Sequence, residues 1–472
     1  MNTTTVTAKT RVAGVLKDGA LNSLIGVTGM VGVAGAMVVT STSLFLSDAV
    51  RVSPLMIGLF FAARAASEIL SDLVVGALSD RMSSRRSLLA LCAACSAAGA
   101  VGYLLLRDYY ALLVTGALFF GIGGAVFSQL FAYTREFADS RGTDAAFFNS
   151  ALRSVTSVAW IVGPPFGFYL ISSRGFSSLF FAAAVFYLLS AALCTLALPD
   201  TGRTRPAAVA EAGRAADGTA EGLPEGSAGD TAAGAERTTG TAGTTGTAGT
   251  TGTTGTAGTA GTAGTAGTAG TAPEKTAAPA AHAPPRNAFS GLTPRVRSLM
   301  AVIVLMLTVN SIYQINIALF VTKDLGLGKG FAGLLLGLAA ALEIPLMIYT
   351  GAKAERIGKW RLVTVAAVCA TLFFAALPFT ESPVALLLLQ VPNALWTAIV
   401  LSIPVIILQN AMSDRIGAAS ALYGASFKAG SFLGGMTAGA VAQWLGFTQV
   451  FWACAVLSAV AALLLVTGGT DE

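Results

Sequence analysis

Twelve long apolar runs dominate this chain, at about 21–46, 55–79, 87–106, 109–134, 145–171, 176–198, 298–321, 330–351, 361–379, 383–411, 417–443 and 447–467. A helix needs ~20 predominantly apolar residues to cross a bilayer. Lipid holds no water to bond the backbone, so a run of this kind satisfies its N–H and C=O groups by coiling on itself. Charged residues make up 11% of the chain, against ~25% in soluble domains. That is too few to clothe a water-facing globule of this size. The expected fold class is an all-α polytopic membrane protein with twelve transmembrane helices.

The runs fall into two sets of six. Between them, residues 199–296 are dominated by Gly, Thr, Ala and Pro, and 239–272 are almost pure Thr-Ala-Gly and Thr-Thr-Gly repeats. Such a segment buries too little apolar surface to offset its ordering entropy, so a disordered cytoplasmic linker is expected. The chain then divides into a cytoplasmic N-terminus (1–20), a six-helix half (21–198), the linker (199–296) and a second six-helix half (297–468).

One shift relates the halves. Moving 275 residues along carries Glu68-Ile69 onto Glu343-Ile344, Gly58-Leu59 onto Gly333-Leu334, Asp80-Arg81 onto Glu355-Arg356, and Arg153 onto Lys428. The halves are therefore parallel repeats of one six-helix unit. A solute site between such repeats is expected near the bilayer midplane.

Lysine and arginine concentrate in short cytoplasmic loops. With the N-terminus inside, the inner loops hold Arg81, Arg85, Arg86, Arg135, Arg141, Lys353, Arg356, Lys359, Arg361 and Arg415. The outer loops hold Arg51, Arg107, Arg174, Lys323 and Lys329. Both termini are expected in the cytoplasm. No small-residue cleavage signature follows Lys9, Arg11 and Lys17, so no removable signal peptide is expected.

Several function classes are excluded. A net charge of +5 carries no nucleic-acid signal, and the single histidine, His282, lies in the linker. The five cysteines sit in apolar runs, without the second pair or histidines of a metal site. No phosphate-cradling loop or catalytic triad is present, so neither an enzyme nor a bound cofactor is expected.

Two loops carry a motif. They read Gly76-Ala-Leu-Ser-Asp80-Arg81-Met-Ser-Ser-Arg85-Arg86 and Gly351-Ala-Lys-Ala-Glu355-Arg356-Ile-Gly358-Lys359-Trp-Arg361. Both resemble the loop signature of the major facilitator superfamily, glycine-x-x-x-acid-arginine-x-glycine-basic. The second copy is the closer match, because Ser83 stands at the glycine position of the first.

Within that superfamily the chain is similar to the bacterial sugar efflux transporter family. The similarity rests on Gly32-Val-Ala-Gly-Ala36, Gln129-Leu-Phe-Ala132, Arg135-Glu136-Phe-Ala-Asp139, Ala159-Trp160-Ile-Val-Gly163-Pro164-Pro165, and Leu342-Glu343-Ile344-Pro345. The resemblance implies a bacterial inner-membrane monomer that exports mono- and disaccharides and related glycosides in exchange for protons. Asn316 and the Arg64–Glu68 pair depart from the family pattern. Gly163-Pro164-Pro165-Phe166-Gly167 partly resembles the glycine-proline signature of antiporters in the superfamily.

Ionisable residues within spans are costly and mark function. Arg64, Glu68 and Asp72 recur at four-residue steps and share one helix face. Glu68 is either a proton or substrate group or the structural partner of Arg64. Glu343 has no partner four residues away and precedes Pro345, which loosens the local backbone bonding. It is the stronger candidate for proton coupling. Arg153 and Lys428 are the cations available to the two acids, and Arg153 alternatively caps the cytoplasmic gate.

A sugar calls for amide and hydroxyl groups beside aromatic faces. The candidates are Gln129, Trp160, Asn310, Gln314, Asn316, Asn393 and Trp396. The candidate gating residues are Gly76, Asp80, Arg81, Gly351, Glu355 and Arg356. The expected function is proton-coupled sugar export by alternating access. The alternatives are export of drugs or hydrophobic metabolites, and a non-transporting receptor or scaffold that works through the linker.

Overall fold

The structure, a computed structural model, describes residues 19–81, 84–140, 145–200 and 293–467. The linker and the N-terminal tail lie outside the described residues, apart from their inner ends. Twelve helical rods of 18 to 32 residues are described. They are α1 (Gly19–Val50), α2 (Pro54–Arg81), α3 (Arg85–Leu105), α4 (Tyr109–Ala138), α5 (Ala145–Arg174) and α6 (Phe176–Leu196) in the first half. The second half holds α7 (Pro294–Asp324), α8 (Lys329–Ile357), α9 (Lys359–Phe379), α10 (Pro383–Ala411), α11 (Ile416–Leu445) and α12 (Val450–Thr467).

Local chemistry starts several rods. Thr293 accepts from the N–H of Val296, and Pro294 occupies the first turn of α7, where a missing N–H costs nothing. Asp108 accepts from the N–H of Ala111 at 2.9 Å and caps α4. Inside α1, the hydroxyls of Thr40, Ser41 and Thr42 donate to the carbonyls of Ala36, Met37 and Val38. The rod is thereby polar in sequence but closed to outside partners.

Ten of the rods are long and apolar enough to cross a membrane by composition alone. The other two, α2 and α11, are as long, at 28 and 30 residues. They are also the pair in most extensive contact, and each belongs to a different half. Part of their polarity is spent across the contact: Asp72 of α2 pairs with Lys428 of α11. The opposite side of α2 exposes Leu70, Leu73 and Val74.

The repeat is visible in backbone detail. Val52 N–H donates to Leu46 C=O, and Leu327 N–H donates to Val321 C=O, each pair displaced by the same shift. Arg51 and Gly326, again equivalent, both turn left-handed, at φ 62° and 64°. Among the described residues, three pairs carry most of the contact between the halves: α2 with α11, α5 with α8, and α1 with α7. The first two are each other's repeat image.

Close approach at these pairs depends on glycine. A Cβ on Gly58 would lie 2.4 Å from the Gly435 carbonyl oxygen and 2.5 Å from Gly439 Cα. In the twin contact, a Cβ on Gly333 would lie 2.7 Å from Phe168 Cβ, and one on Gly337 would lie 2.4 Å from the Pro165 ring. Pro164 and Pro165 thus seat α5 against α8, Gly163 packs against Ala36 of α1, and α5 stays helical through both prolines.

The glycine contacts lie toward the bundle end that carries the α1–α2 and α7–α8 turns. At that end Asp48 pairs with Lys323 at 2.5 Å and with Lys329 at 2.6 Å. Asp48 and Lys323 are equivalent positions in the repeat, so opposite charges meet where like residues would repel. We call this the clasp end. The linker leaves from the opposite end, where Tyr133 donates to the Pro199 carbonyl and Arg86 meets Asp200 at 3.4 Å.

Candidate transport cavity

A cavity lies between the halves at mid-span. It offers about 170 Å³ to water centres, many times the ~10–15 Å³ that one water needs on that measure. Both halves line it, and several lining positions are repeat partners: Glu68 with Glu343, Ala65 with Ala340, and Val39 with Gln314. A second, contiguous chamber shares Arg64, Glu68 and Trp160 and runs on to Asp72 and Lys428.

The C-terminal wall is polar and locally unpartnered. Asn310 and Gln314 stand four residues apart on α7, with Ser311 between them, and all three face the cavity. No hydrogen bond ties the Asn310 or Gln314 amide to a described residue. Glu343 enters from α8 and forms no ion pair with any described residue. Its polar neighbours are the Thr397 hydroxyl and the Tyr423 phenol. Pro345 removes the N–H that the Ala341 carbonyl would otherwise accept, so backbone beside Glu343 is under-bonded.

The N-terminal wall is different. Arg64 donates through Nε to Glu68 Oε1 at 3.0 Å, and its guanidinium lies 5.2 Å from the Phe120 ring centroid. Arg64 Nη1 is buried and makes no hydrogen bond. Trp160 of α5 borders both chambers, with Phe61 and Phe427 adding aromatic surface to the main one. The chemistry on offer is therefore two amides, hydroxyls, one guanidinium edge, one uncompensated carboxyl and aromatic faces.

Lys428 does not reach Glu343. Its ammonium pairs with Asp72 across the halves and also donates to the Glu68 carbonyl at 3.1 Å. Asp72, noted in sequence only as the third step of a charged face, is the acid that Lys428 serves. Replacing Lys428 by Met is expected to destabilise the protein by at least ~1 kcal/mol, short of the ~3–5 kcal/mol of a fully buried pair because Asp72 is about a third exposed. Thermal unfolding in detergent measures this, and the double change Asp72→Asn with Lys428→Met should recover most of the loss. Arg153 lies away from the cavity, with its guanidinium 5.6 Å from the Phe131 ring centroid.

Other sequence candidates sit elsewhere. Gln129 accepts from Arg85 at 3.1 Å, beside the Arg85–Glu136 pair at 2.6 Å and the Arg85–Ser79 bond. It belongs to a knot of α2, α3 and α4 toward the linker end. Asn316 is buried and donates to the Phe447 carbonyl at 2.8 Å, tying α7 to the α11–α12 turn. Asn393 and Trp396 form a closed chain in the core of the second half. Trp396 donates to Asn393 at 3.0 Å, and Asn393 and Tyr313 both donate to Gln390.

Near the loop, Gly351 lies inside the last two turns of α8, which runs on to Ile357; Glu355 is exposed and pairs with Lys359 at 2.6 Å, and Arg356 is exposed. Gly358 has φ 94°, which explains the glycine of the motif there. Gly76 has open space around it, while the Asp80 and Arg81 side chains and Ser83 lie outside the described residues.

The family model described as Major Facilitator Superfamily matches residues 24–389 and 299–471. Sugar efflux transporter A of Escherichia coli (strain K12) is 31% identical over 435 residues, 92% of each chain. The chain belongs to the major facilitator superfamily, in its sugar efflux transporter family. Two further relatives of the same kind are sugar efflux transporter A of Dickeya chrysanthemi, at 29%, and sugar efflux transporter B of Salmonella typhimurium (strain LT2), at 28%. Each aligns over at least 90% of both chains.

Solved structures share the superfamily fold. The nucleoside transporter NupG aligns at TM-score 0.66 and 14% identity, over 96% of this chain and all of that one. A bacterial homologue of the human lysosomal transporter Spinster aligns at 0.67 and 14%, over 95% and 96%. Membership makes this chain a multi-pass membrane transporter rather than an enzyme.

Proposed function

We propose that the chain exports sugars or glycosides from the cytoplasm of a bacterium across its inner membrane, as a monomer exchanging substrate for protons. The observation that carries this is the cavity wall. Asn310, Gln314 and Ser311 present hydrogen-bonding groups beside Trp160, which suits a ring with hydroxyls on its edge and C–H groups on its face. The relatives named as sugar efflux transporters support the substrate class.

In this reading the halves rock about the cavity, and the form described here is sealed at the clasp end by glycine contacts and the Asp48 pairs. The linker end faces the cytoplasm, in keeping with the excess of lysine and arginine in its loops. Glu343 carries the proton, because among the described residues no cation pairs with it, whereas Glu68 is committed to Arg64. The Arg85 knot and the Glu355 loop brace the cytoplasmic gates.

Everted vesicles containing the chain test the reading. Radiolabelled mono- and disaccharides should accumulate under an inward-acid gradient, and a protonophore should collapse the accumulation. Accumulation of lipophilic cations with no sugar movement would replace the proposal by drug export, and no flux of either by a receptor or scaffold role.

Asn310→Ala and Gln314→Ala should each weaken sugar affinity about 2- to 10-fold, the value of one net hydrogen bond. Asn393→Ala should leave affinity unchanged and lower stability instead. Half-saturation for transport, read beside thermal unfolding, separates the two effects.

A further inference from the structure

Away from the central cavity, a groove of about 880 Å³ opens on the outer surface of the second half, between the start of α7, the length of α9 and the end of α12. It is built in two parts. Its head lies at the linker end, where the Arg295 guanidinium stacks 4.4 Å from the Trp360 ring centroid and Arg361 stands beside it. Stacking on the aromatic face holds this guanidinium at the head of the groove.

The tail of the groove follows one stripe of α9. Arg361, Val365, Val368 and Leu372 recur at steps of four, three and four residues, so they line one helix face over roughly 16 Å. Val365, Val368 and Leu372 are exposed, and Leu465 closes the opposite wall. An ordinary lipid-facing surface is apolar but neither concave nor headed by paired arginines.

The repeat supplies a comparison. Arg86 is the counterpart of Arg361 in the first half, and it is neutralised there by Asp200 at 3.4 Å. Arg361 forms no ion pair with a described residue, and the nearby acid Glu355 is taken by Lys359. The two halves thus share an arginine at this end, and in the second half it stands beside an apolar groove without an ion pair to a described residue.

We infer that this groove binds one anionic phospholipid, with the headgroup phosphate held by Arg295 and Arg361 and an acyl chain lying along Val365, Val368 and Leu372. Charge complementarity selects the headgroup, since a bidentate guanidinium matches phosphate oxygens. Basic pockets between membrane helices bind anionic headgroups by the same physics. Trp360 is the second residue of α9, at a helix end where aromatic rings commonly anchor to the membrane interface.

Native mass spectrometry of the full chain, released from micelles holding equal phosphatidylglycerol and phosphatidylcholine, tests the assignment. One phosphatidylglycerol should be retained preferentially. The preference should fall on the order of fivefold for each arginine lost in Arg295→Gln and Arg361→Gln. It should survive Arg297→Gln, which removes an exposed charge on the same helix outside the groove.

Leu372→Trp, which fills the tail and keeps both arginines, should also lower retention. That variant separates lipid binding from any misfolding of the arginine variants. Equal retention of the two lipids, or a preference indifferent to Arg361→Gln and Leu372→Trp, overturns the inference. So does full displacement of the lipid by an equal concentration of inorganic phosphate, which would mark a site for soluble anions.

Discussion

Replacing Glu343 by Gln is expected to abolish sugar accumulation driven by an imposed pH gradient, down to the leak of empty vesicles, while exchange of labelled for unlabelled sugar continues. The substitution keeps the shape of the side chain and most of its hydrogen bonding. It removes only the capacity to carry a proton. Glu343 lines the cavity and has no ion-pair partner among the described residues. An isolated charge there is costly in low dielectric, so proton uptake and release at this position couple readily to what else occupies the cavity.

Glu68→Gln should behave differently. It strands Arg64, whose Nε bonds to Glu68 at 3.0 Å and whose Nη1 is already without a partner. Exchange itself should then suffer together with accumulation. Measuring both modes for both variants distinguishes a proton carrier from a structural pair. Gradient-driven accumulation that persists in Glu343→Gln would move the coupling to the Asp72–Lys428 pair.

The second large effect is expected from Gly58→Val. The atoms its Cβ would meet, at 2.4 to 2.8 Å, all belong to the backbone of Gly435 and Gly439 and have no rotamer to escape into. α2 and α11 would have to separate at the clasp end. Overpacking of this kind costs ~1–3 kcal/mol, enough to shift a two-state balance about 5- to 150-fold.

The shift is read with a Val52→Cys reporter beside the clasp, labelled by a membrane-impermeant thiol reagent. Labelling should accelerate by about the factor just given, and net transport should fall as the sealed form becomes rare. Gly333→Val, in the twin contact of α5 with α8, should act in the same direction because its Cβ meets Phe168 Cβ and the Pro164 carbonyl. Unchanged labelling with normal transport in both variants would mean that close approach at this end is dispensable.

Which of the candidate sugar residues reach the cavity depended on neighbours in space. Asn310 and Gln314 stand four residues apart, so helical spacing alone put them on one face. Asn316, only two residues further, turns away and binds the Phe447 carbonyl, from a part of the chain more than a hundred residues distant. Asn393 and Trp396 were polar enough to suit a sugar, but Trp396 donates to Asn393 and Asn393 donates to Gln390, so they are bonded within the core. Nothing in composition separates an amide that waits for a ligand from one that is already satisfied.

The sequence by itself determined the helices and the twofold repeat. Apolar run length and the 275-residue shift are local or one-dimensional properties, and the bilayer leaves a chain of this composition little choice but helix. It also singled out Glu343 from Glu68, since a partner four residues away is visible in one dimension. Only the tertiary structure decided that Lys428 serves Asp72, and that Asp48 meets its own repeat counterpart Lys323. The reason is physical: an intramembrane charge takes the partner within a few ångströms, and that distance is set by how two halves pack, which no spacing along a single chain records.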